Sequence, residues 1–345
     1  MQRWYEQEGK DSDVILSSRI RLARNLKGKL FPERMTTSDA KEIVDKVLAV
    51  TTVLTKNENK KFYPCRVNAL RDLDKASMVE GNIISPLLAQ KESDTGLILS
   101  EDERISIMIN EEDHLHIQTV YGGMNMSKAL TEAMKLDDYF SECFGYAFDD
   151  RYGYLTSCPT NVGTGLRASY TLFLPALSMA GKIEKLAEEI GKYGAQIRNI
   201  YGEGAKSYGH VYQISNKTSL GRSESEIIDN LDQIVTQAMN QERKRREYIL
   251  TVNSEEIEDK VYRSYGVLKY AKKVSTADAM LMLSQLKFGK DCNVIEFKGE
   301  CNLQQLMLEI MPANFQKVIG KTINHSERDR YRAEYLNQKL PELID

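Results

Sequence analysis

The sequence predicts an α+β fold: an antiparallel sheet flanked by helices over residues 13–222, followed by an all-α C-terminal domain over residues 223–345. Three observations carry this expectation. Residues 13–26 alternate in the manner of a strand. Residues 104–110 and 114–120 alternate again on either side of the acidic turn Glu111-Glu112-Asp113, which predicts a hairpin. From Ser223 onward helical spacing recurs to the end of the chain.

In the first strand, alternation sends Arg19 and Arg21 to one face while Ile20 and Leu22 take the other. On pattern alone, two such arginines serve a solvated face as readily as an anion site. Helical spacing over 38–51 (Ile43, Val44, Val47, Leu48) and over 127–144 (Leu130, Met134, Phe140, Phe144) supplies cover for the sheet. A short strand from Ser169 to Leu174 and a helix over 181–193, with Ile183, Leu186, Ala187 and Ile190 on one face, come next. A strand and loop from Gln196 to Gly204 lead to a further strand, His210–Asn216. Glu203, between Gly202 and Gly204, suits either a loop that closes over substrate or an ordinary glycine turn.

Ser223-Glu-Ser-Glu226 is a helix start, and Ile227, Ile228, Leu231, Ile234, Val235 and Met239 follow at helical spacing. The basic run Gln241-Glu-Arg-Lys-Arg-Arg246 reads as a solvated helix face, with a polyanion site as the alternative. Further helices are predicted over 261–272, 277–286, 303–311 and 326–336.

With 345 residues, 41% hydrophobic and 28% charged, the chain has the composition of a globular protein long enough for roughly two domains. Its 47 basic and 50 acidic residues give a net charge of −3, so no overall bias toward nucleic acid or membrane exists and any charge-based function must be local. Neither a signal-peptide core nor a run of transmembrane length is present, and a cytoplasmic location is expected. The five cysteines are far apart with no C-x-x-C pair, which speaks against a zinc site or a disulfide framework. His114 and His116 are a close pair without a cysteine ladder, so no metal site is expected.

The densest chemistry lies in Gly153-Tyr-Leu-Thr-Ser-Cys-Pro-Thr-Asn-Val-Gly-Thr-Gly-Leu-Arg-Ala168. Pro159 pushes Cys158 toward an extended conformation. Gly163 and Gly165 are expected to let backbone N–H groups approach an anion, with Arg167 aimed at the same place. Cationic company also favours a thiolate at Cys158. Read without context, the stretch is equally a cysteine at a strand end followed by a glycine loop.

That stretch closely resembles the cysteine loop of the phosphagen (guanidino) kinase family. The segment around Ser17-Ser-Arg-Ile-Arg21 resembles the family's first nucleotide-phosphate strand, with Arg24 on the third arginine of the pattern. Asn110-Glu-Glu-Asp-His-Leu115 matches the family sequence whose second glutamate, here Glu112, holds the guanidinium. Two departures touch the nucleotide site: His116 stands where the family has a phosphate-binding arginine, its imidazole expected to be mostly neutral at pH 7, and Asn82 precedes the I-S-P turn in place of a histidine.

The large helical domain that precedes the arginine strand in creatine and arginine kinases is missing, and a C-terminal helical region is present instead. This arrangement, together with Tyr201-Gly-Glu-Gly204, resembles the bacterial protein-arginine kinases of the McsB type. Arg328-Asp-Arg-Tyr-Arg-Ala333 matches that branch's R-D-x-x-R-A motif, which binds phosphoarginine allosterically. On a helix Arg328 and Arg332 stand one turn apart and are expected to grip one phosphate, with Asp329 for a cationic partner.

The resemblance implies transfer of a phosphoryl group from ATP, with Mg2+ held through phosphates and water, to arginine side chains of proteins. It assigns Glu112, Cys158 and Glu203 to catalysis. To the nucleotide it assigns Ser17, Ser18, Arg19, Ile20, Arg21 and His116, the run Arg167, Ala168, Ser169, Tyr170, Thr171, and the run Arg198, Asn199, Ile200, Tyr201, Gly202, Glu203. It further implies an activator protein, a stress-response repressor and a Clp unfoldase as partners, with assembly as a homodimer or higher oligomer. Two other readings stay in play: a phosphoarginine-binding adaptor with a decayed site, suggested by His116 and Asn82, and a small-guanidine kinase.

Overall fold

The computed structural model describes residues 3–6, 9–200 and 208–344. Ten strands lie within these residues. Eight of them, β1 (Ile15–Arg24), β2 (Phe62–Arg66), β3 (Gly96–Ser100), β4 (Ile105–Ile109), β5 (Leu115–Gly122), β8 (Leu166–Phe173), β9 (Ala195–Asn199) and β10 (Val211–Asn216), form one sheet in the order β2-β3-β4-β5-β1-β8-β10-β9. The short pair β6 (Phe148–Asp149) and β7 (Gly153–Tyr154) makes a separate ribbon. The expected hairpin is β4–β5, closed by a backbone hydrogen bond from Asn110 to His114 with Asn110 at φ 58°.

The chain divides into two compact units. The first holds residues 1–170, 190–196 and 214–234. Its helices are α1 (Thr37–Ala49), α2 (Thr51–Glu58), α3 (Asp72–Glu80), α4 (Pro86–Gln90) and α5 (Met126–Phe144). The helix predicted over 38–51 thus ends at Ala49, and α2 starts anew after Val50. A capping box fixes the start of α1: the Thr36 hydroxyl accepts from the Asp39 N–H while the Asp39 carboxylate accepts from the Thr36 N–H.

Register in β1–β5 sets which side chains share a face. Arg19 pairs with Val120, Arg21 with Gln118 and Ala23 with His116, so Arg19, Arg21, Gln118 and His116 line one side. Ser18, Ile20, Leu22 and Arg24 take the other side, against α5, where Thr119 donates to the Ala129 carbonyl at 2.8 Å. A further apolar cluster of Val67, Ile83, Ile84, Leu88, Leu97 and Met108 seals the outer strands.

The second unit holds residues 171–189, 197–213 and 235–345. It contains α6 (Pro175–Met179), most of α7 (Ile183–Gly191) and the latter part of α8 (Glu224–Val252). The helices α9 (Ser254–Tyr270), α10 (Thr276–Asp291), α11 (Leu303–Glu309), α12 (Pro312–Val318) and α13 (His325–Lys339) complete it. Ser223 caps α8 as expected, accepting from the Glu226 N–H at 3.3 Å while Glu226 accepts from the Ser223 N–H at 2.7 Å. The basic run over 241–246 is not a wholly solvated face. Glu242 and Arg246 are buried, pair with each other at 2.8 Å, and Glu242 accepts the Ala176 and Leu177 N–H groups that open α6.

Candidate active site

Two loops of the first unit meet through one carboxylate. Asp113 Oδ1 accepts from the backbone N–H of Ser157 at 2.6 Å and from Asn25 Nδ2 at 2.6 Å. Asn25 donates as well to the Leu155 carbonyl at 3.1 Å, and its own Oδ1 accepts from the His114 N–H at 3.0 Å. The residue after Glu112 is therefore bonded to the residue before Cys158. Because Asp113 is fully buried, this link works in a low-dielectric setting where a charged acceptor binds firmly.

Cys158 opens a short 3-10 turn, Pro159–Asn161, whose Asn161 N–H donates to the Cys158 carbonyl at 3.0 Å. The Thr156 hydroxyl donates to the same carbonyl at 2.8 Å, and the Cys158 sulfur lies 3.1 Å from Thr160 Oγ1. The thiol is partly exposed. Glu112 is also partly exposed, and burial together with the Asp113 carboxylate raises its pKa above the usual glutamate value.

His116 stands apart from the neutral imidazole expected of it. It is 3% exposed, its Nδ1 in ion-pair contact with the Glu111 carboxylate and its Nε2 3.3 Å from Asp113 Oδ2. Burial alone would lower its pKa, but the two carboxylates outweigh burial and raise it to about 9. The ring is an imidazolium at neutral pH, neutralised by acids of its own loop. Glu111 in turn falls well below the usual carboxylate range: burial pushes it up, while His116, Arg21 and Ser85 pull it down further. His114, by contrast, is buried and its pKa drops to about 4. It accepts from the Leu26 N–H at 3.0 Å and lies 3.0 Å from the Leu30 carbonyl through its other nitrogen, a structural role. Glu112, Asp113 and His116 bring possible ligand atoms within 4.8 Å of one another, and both ring nitrogens of His116 face carboxylates of its own loop.

On the sheet face beside this loop, Arg21 donates to Gln118 Oε1 at 3.1 Å, and Gln118 donates onward to the Asn82 carbonyl at 2.9 Å. Asn82 adopts φ 57°, a left-handed conformation that asparagine tolerates, so its carbonyl turns toward the strand. Arg19 reaches Ser169 Oγ at 3.3 Å, and Arg167 reaches Ser215 Oγ at 3.5 Å. Arg19, Arg21, Arg167, Ser169 and Ser17 thus share strand parity. Ser18, Ile20, Ala168 and Tyr170 do not: Ser18 donates to the Gly123 carbonyl, Tyr170 to Asp232, and Ile20 and Ala168 are buried. Those four serve the sheet's packed side rather than the side that carries the arginines. Thr171, Arg198, Asn199 and Ile200 belong to the second unit, with Arg198 exposed on β9. Tyr201, Gly202 and Glu203 lie outside the described residues.

Arg24, matched by sequence to a phosphate ligand, is instead structural. It is fully buried, donates to both oxygens of Asp137 on α5 and to the carbonyls of Ala23 and Thr164, and lies 3.5 Å above the Tyr154 ring. Gly165 is required here because a Cβ at φ +66° would strike the Arg24 guanidinium and come 2.6 Å from the Ala23 carbonyl. Gly163 bridges Tyr154, where each backbone N–H meets the other residue's carbonyl. The two glycines therefore allow close packing of the loop, not the backbone cradle expected of them. Sequence reasoning missed Asp113, Asn25 and Gln118 as positioning residues; Asn25 carries no signal, while Asp113 lay in the acidic turn.

In the second unit, α13 presents the C-terminal motif. Arg332 is fully buried, donating to the Ile310 carbonyl at 3.1 Å, the Val274 carbonyl at 2.9 Å and Asp329 at 2.7 Å. It is a packing anchor and does not stand on an open face with Arg328. Arg328 is half-buried, and its Nε is buried without a hydrogen-bond partner among the described residues.

Comparison with known proteins places these features in a family. Residues 42–245 match the model for the ATP:guanido phosphotransferase C-terminal catalytic domain, and residues 254–344 match the protein-arginine kinase McsB C-terminal domain. The protein-arginine kinase of Caldanaerobacter subterraneus is 41% identical over 96% of this chain and 98% of its own length. That of Bacillus subtilis is 39% identical over 98% and 93%. The fold is similar to that of a lombricine kinase, with a TM-score of 0.59 at 23% identity over 68% of each chain. These relatives are named as kinases, which leaves the adaptor reading without support. No helix among the described residues is long and apolar enough to cross a membrane. With its phosphotransferase domain followed by the McsB C-terminal domain, the chain belongs to the protein-arginine kinase family.

Proposed function

We propose that this chain transfers the γ-phosphoryl group of ATP to arginine side chains of proteins. The observation that carries the reading is the Asp113–Ser157 hydrogen bond, which ties the loop of Glu112 to the loop of Cys158 beside a cationic strand face. A guanidinium, with a pKa above ~12, cannot attack while fully protonated. Glu112, its pKa raised by burial, orients the incoming guanidinium and takes its proton as the N–P bond forms and the bond from the γ-phosphorus to the bridging oxygen breaks, releasing ADP. The Cys158 sulfur faces the same group electrostatically, held by Thr160, and forms no covalent bond.

Arg19, Arg21 and Arg167 neutralise the phosphates, aligned by Ser169, Gln118 and Ser215. Three cations on one face of the neighbouring strands β1 and β8 fit a triphosphate. Mg2+, reached through phosphates and water, supplies further charge neutralisation when bound. Arg198 and Glu203 keep the roles that the family resemblance assigns, a further phosphate cation and a second guanidinium clamp.

The finer parts of the reading follow from the resemblance. The catalytic domain spans 13–222 and the helical domain 223–345. Arg328 binds phosphoarginine, with Asp329 and Arg332 fixing the helix that carries it. The protein works in the cytoplasm as a homodimer or larger assembly, with an activator protein, a stress-response repressor and a Clp unfoldase as partners. Incubation with γ-labelled ATP and an arginine-rich protein tests the activity. Acid-labile label on arginine is the expected result; label on free arginine alone, or none at high ATP, overturns it.

A further inference from the structure

The second unit contains a cleft of about 430 Å³ that the kinase reaction does not use. The basic run over 241–246 builds one wall. Because Glu242 and Arg246 turn inward as a buried pair one helical turn apart, Gln241, Lys244, Arg245 and Tyr248 come round the other side of α8. Lys182, just before α7, and Lys185 on α7 supply the opposite wall. Leu177 and Leu186 form a buried apolar floor.

Four cations and one carboxylate, Glu189, line this space. Among the described residues none of the four cations has an ion-pair partner. Gathering four like charges against a single carboxylate costs free energy through mutual repulsion, and a bound anion lowers that cost. Arg245 is the most organised of them. Its guanidinium lies 4.6 Å from the Tyr248 ring centroid, and its Nε is buried without a hydrogen-bond partner among the described residues. This cation–π contact holds the guanidinium beside the ring, where its remaining N–H groups can donate to phosphoryl oxygens. The volume suits a small molecule and excludes a folded polymer.

We propose that this cleft binds an oligophosphate chain, either free or carried by a nucleoside whose base stacks on Tyr248. It is a site separate from the one that holds Glu112 and Cys158, which belong to the first unit.

Calorimetric titration of inorganic triphosphate into the full-length protein, with hydrogen exchange read in parallel, tests the proposal. Wild type should show a binding event that protects residues 182–189 and 241–248. The pair Lys244→Gln and Arg245→Gln should weaken that event by at least about tenfold, the loss of one charge-assisted contact. The charge-conserving pair Lys244→Arg and Arg245→Lys should retain it, which separates lost charge from lost fold. ATP titrated into Tyr248→Ala distinguishes the sources: weaker protection of these segments by ATP but not by triphosphate marks a nucleotide, equal protection a free oligophosphate. Titrations and protection identical in wild type and the Gln pair would overturn the site.

Discussion

Asp113 accepts the backbone N–H of Ser157 at 2.6 Å, so the neighbour of Glu112 holds the neighbour of Cys158. Burial would raise the Asp113 pKa, but His116, the Ser157 N–H and Asn25 lower it, keeping the carboxylate charged. Asp113→Asn removes that charge with nearly the same shape. Turnover should fall by about tenfold or more, because small misplacements of reacting groups are costly, while ATP affinity stays within about twofold. Steady-state kinetics with separate ATP-binding measurements check this; equal losses in both would make Asp113 a general stability residue.

The two histidines of the hairpin should titrate far apart. NMR of the imidazole resonances should find His116 protonated up to about pH 9 and His114 neutral down to about pH 4. Since the folded pKa of His116 lies above its unfolded value, its stabilising contribution is complete below about pH 6.5 and is lost as pH rises through about 9, on the order of 3 kcal/mol. Denaturant unfolding at pH 6.5 and at pH 9.5 should show that loss. For the same reason His116→Arg should not tighten ATP binding, because the new cation would meet Glu111 and Asp113 and not a phosphate.

Arg328 and Arg332 should separate by phenotype. Arg328→Ala is expected to remove phosphoarginine binding to the helical unit, measured by calorimetry in a Glu112→Gln background, with little change in Tm. Arg332→Ala removes the guanidinium partner of buried Asp329, leaving it only the exposed His325 at 3.6 Å, and should destabilise the fold by about 3–5 kcal/mol. Phosphoarginine binding that survives Arg328→Ala would reduce the motif to a packing device.

Much of this was legible in the residues. Period-two alternation gave β1, β4 and β5, and helical spacing gave α5, α8, α9 and α10. Outer strands β2 and β3 and helices α3, α4 and α12 were not foreseen: Phe62–Arg66 contains a proline and exposes its centre, and the helices are short. At the site, residue types pointed to Glu112, Cys158 and the strand arginines. Partners did not follow from pattern. Arg24 and Arg332 resemble phosphate ligands in sequence, and only packing reveals that carbonyls and one aspartate consume their donors. His116 looked neutral because its charge depends on two carboxylates held within reach by the turn.

In the proposed reaction Glu112 orients and deprotonates the guanidinium. The most direct measurement is the single-turnover rate of acid-labile phosphoryl transfer from ATP to protein arginine in Glu112→Gln, read beside its Tm. A fall of about 100-fold or more with Tm unchanged is the predicted result. Transfer at the wild-type rate, or a Tm that collapses together with activity, would contradict it.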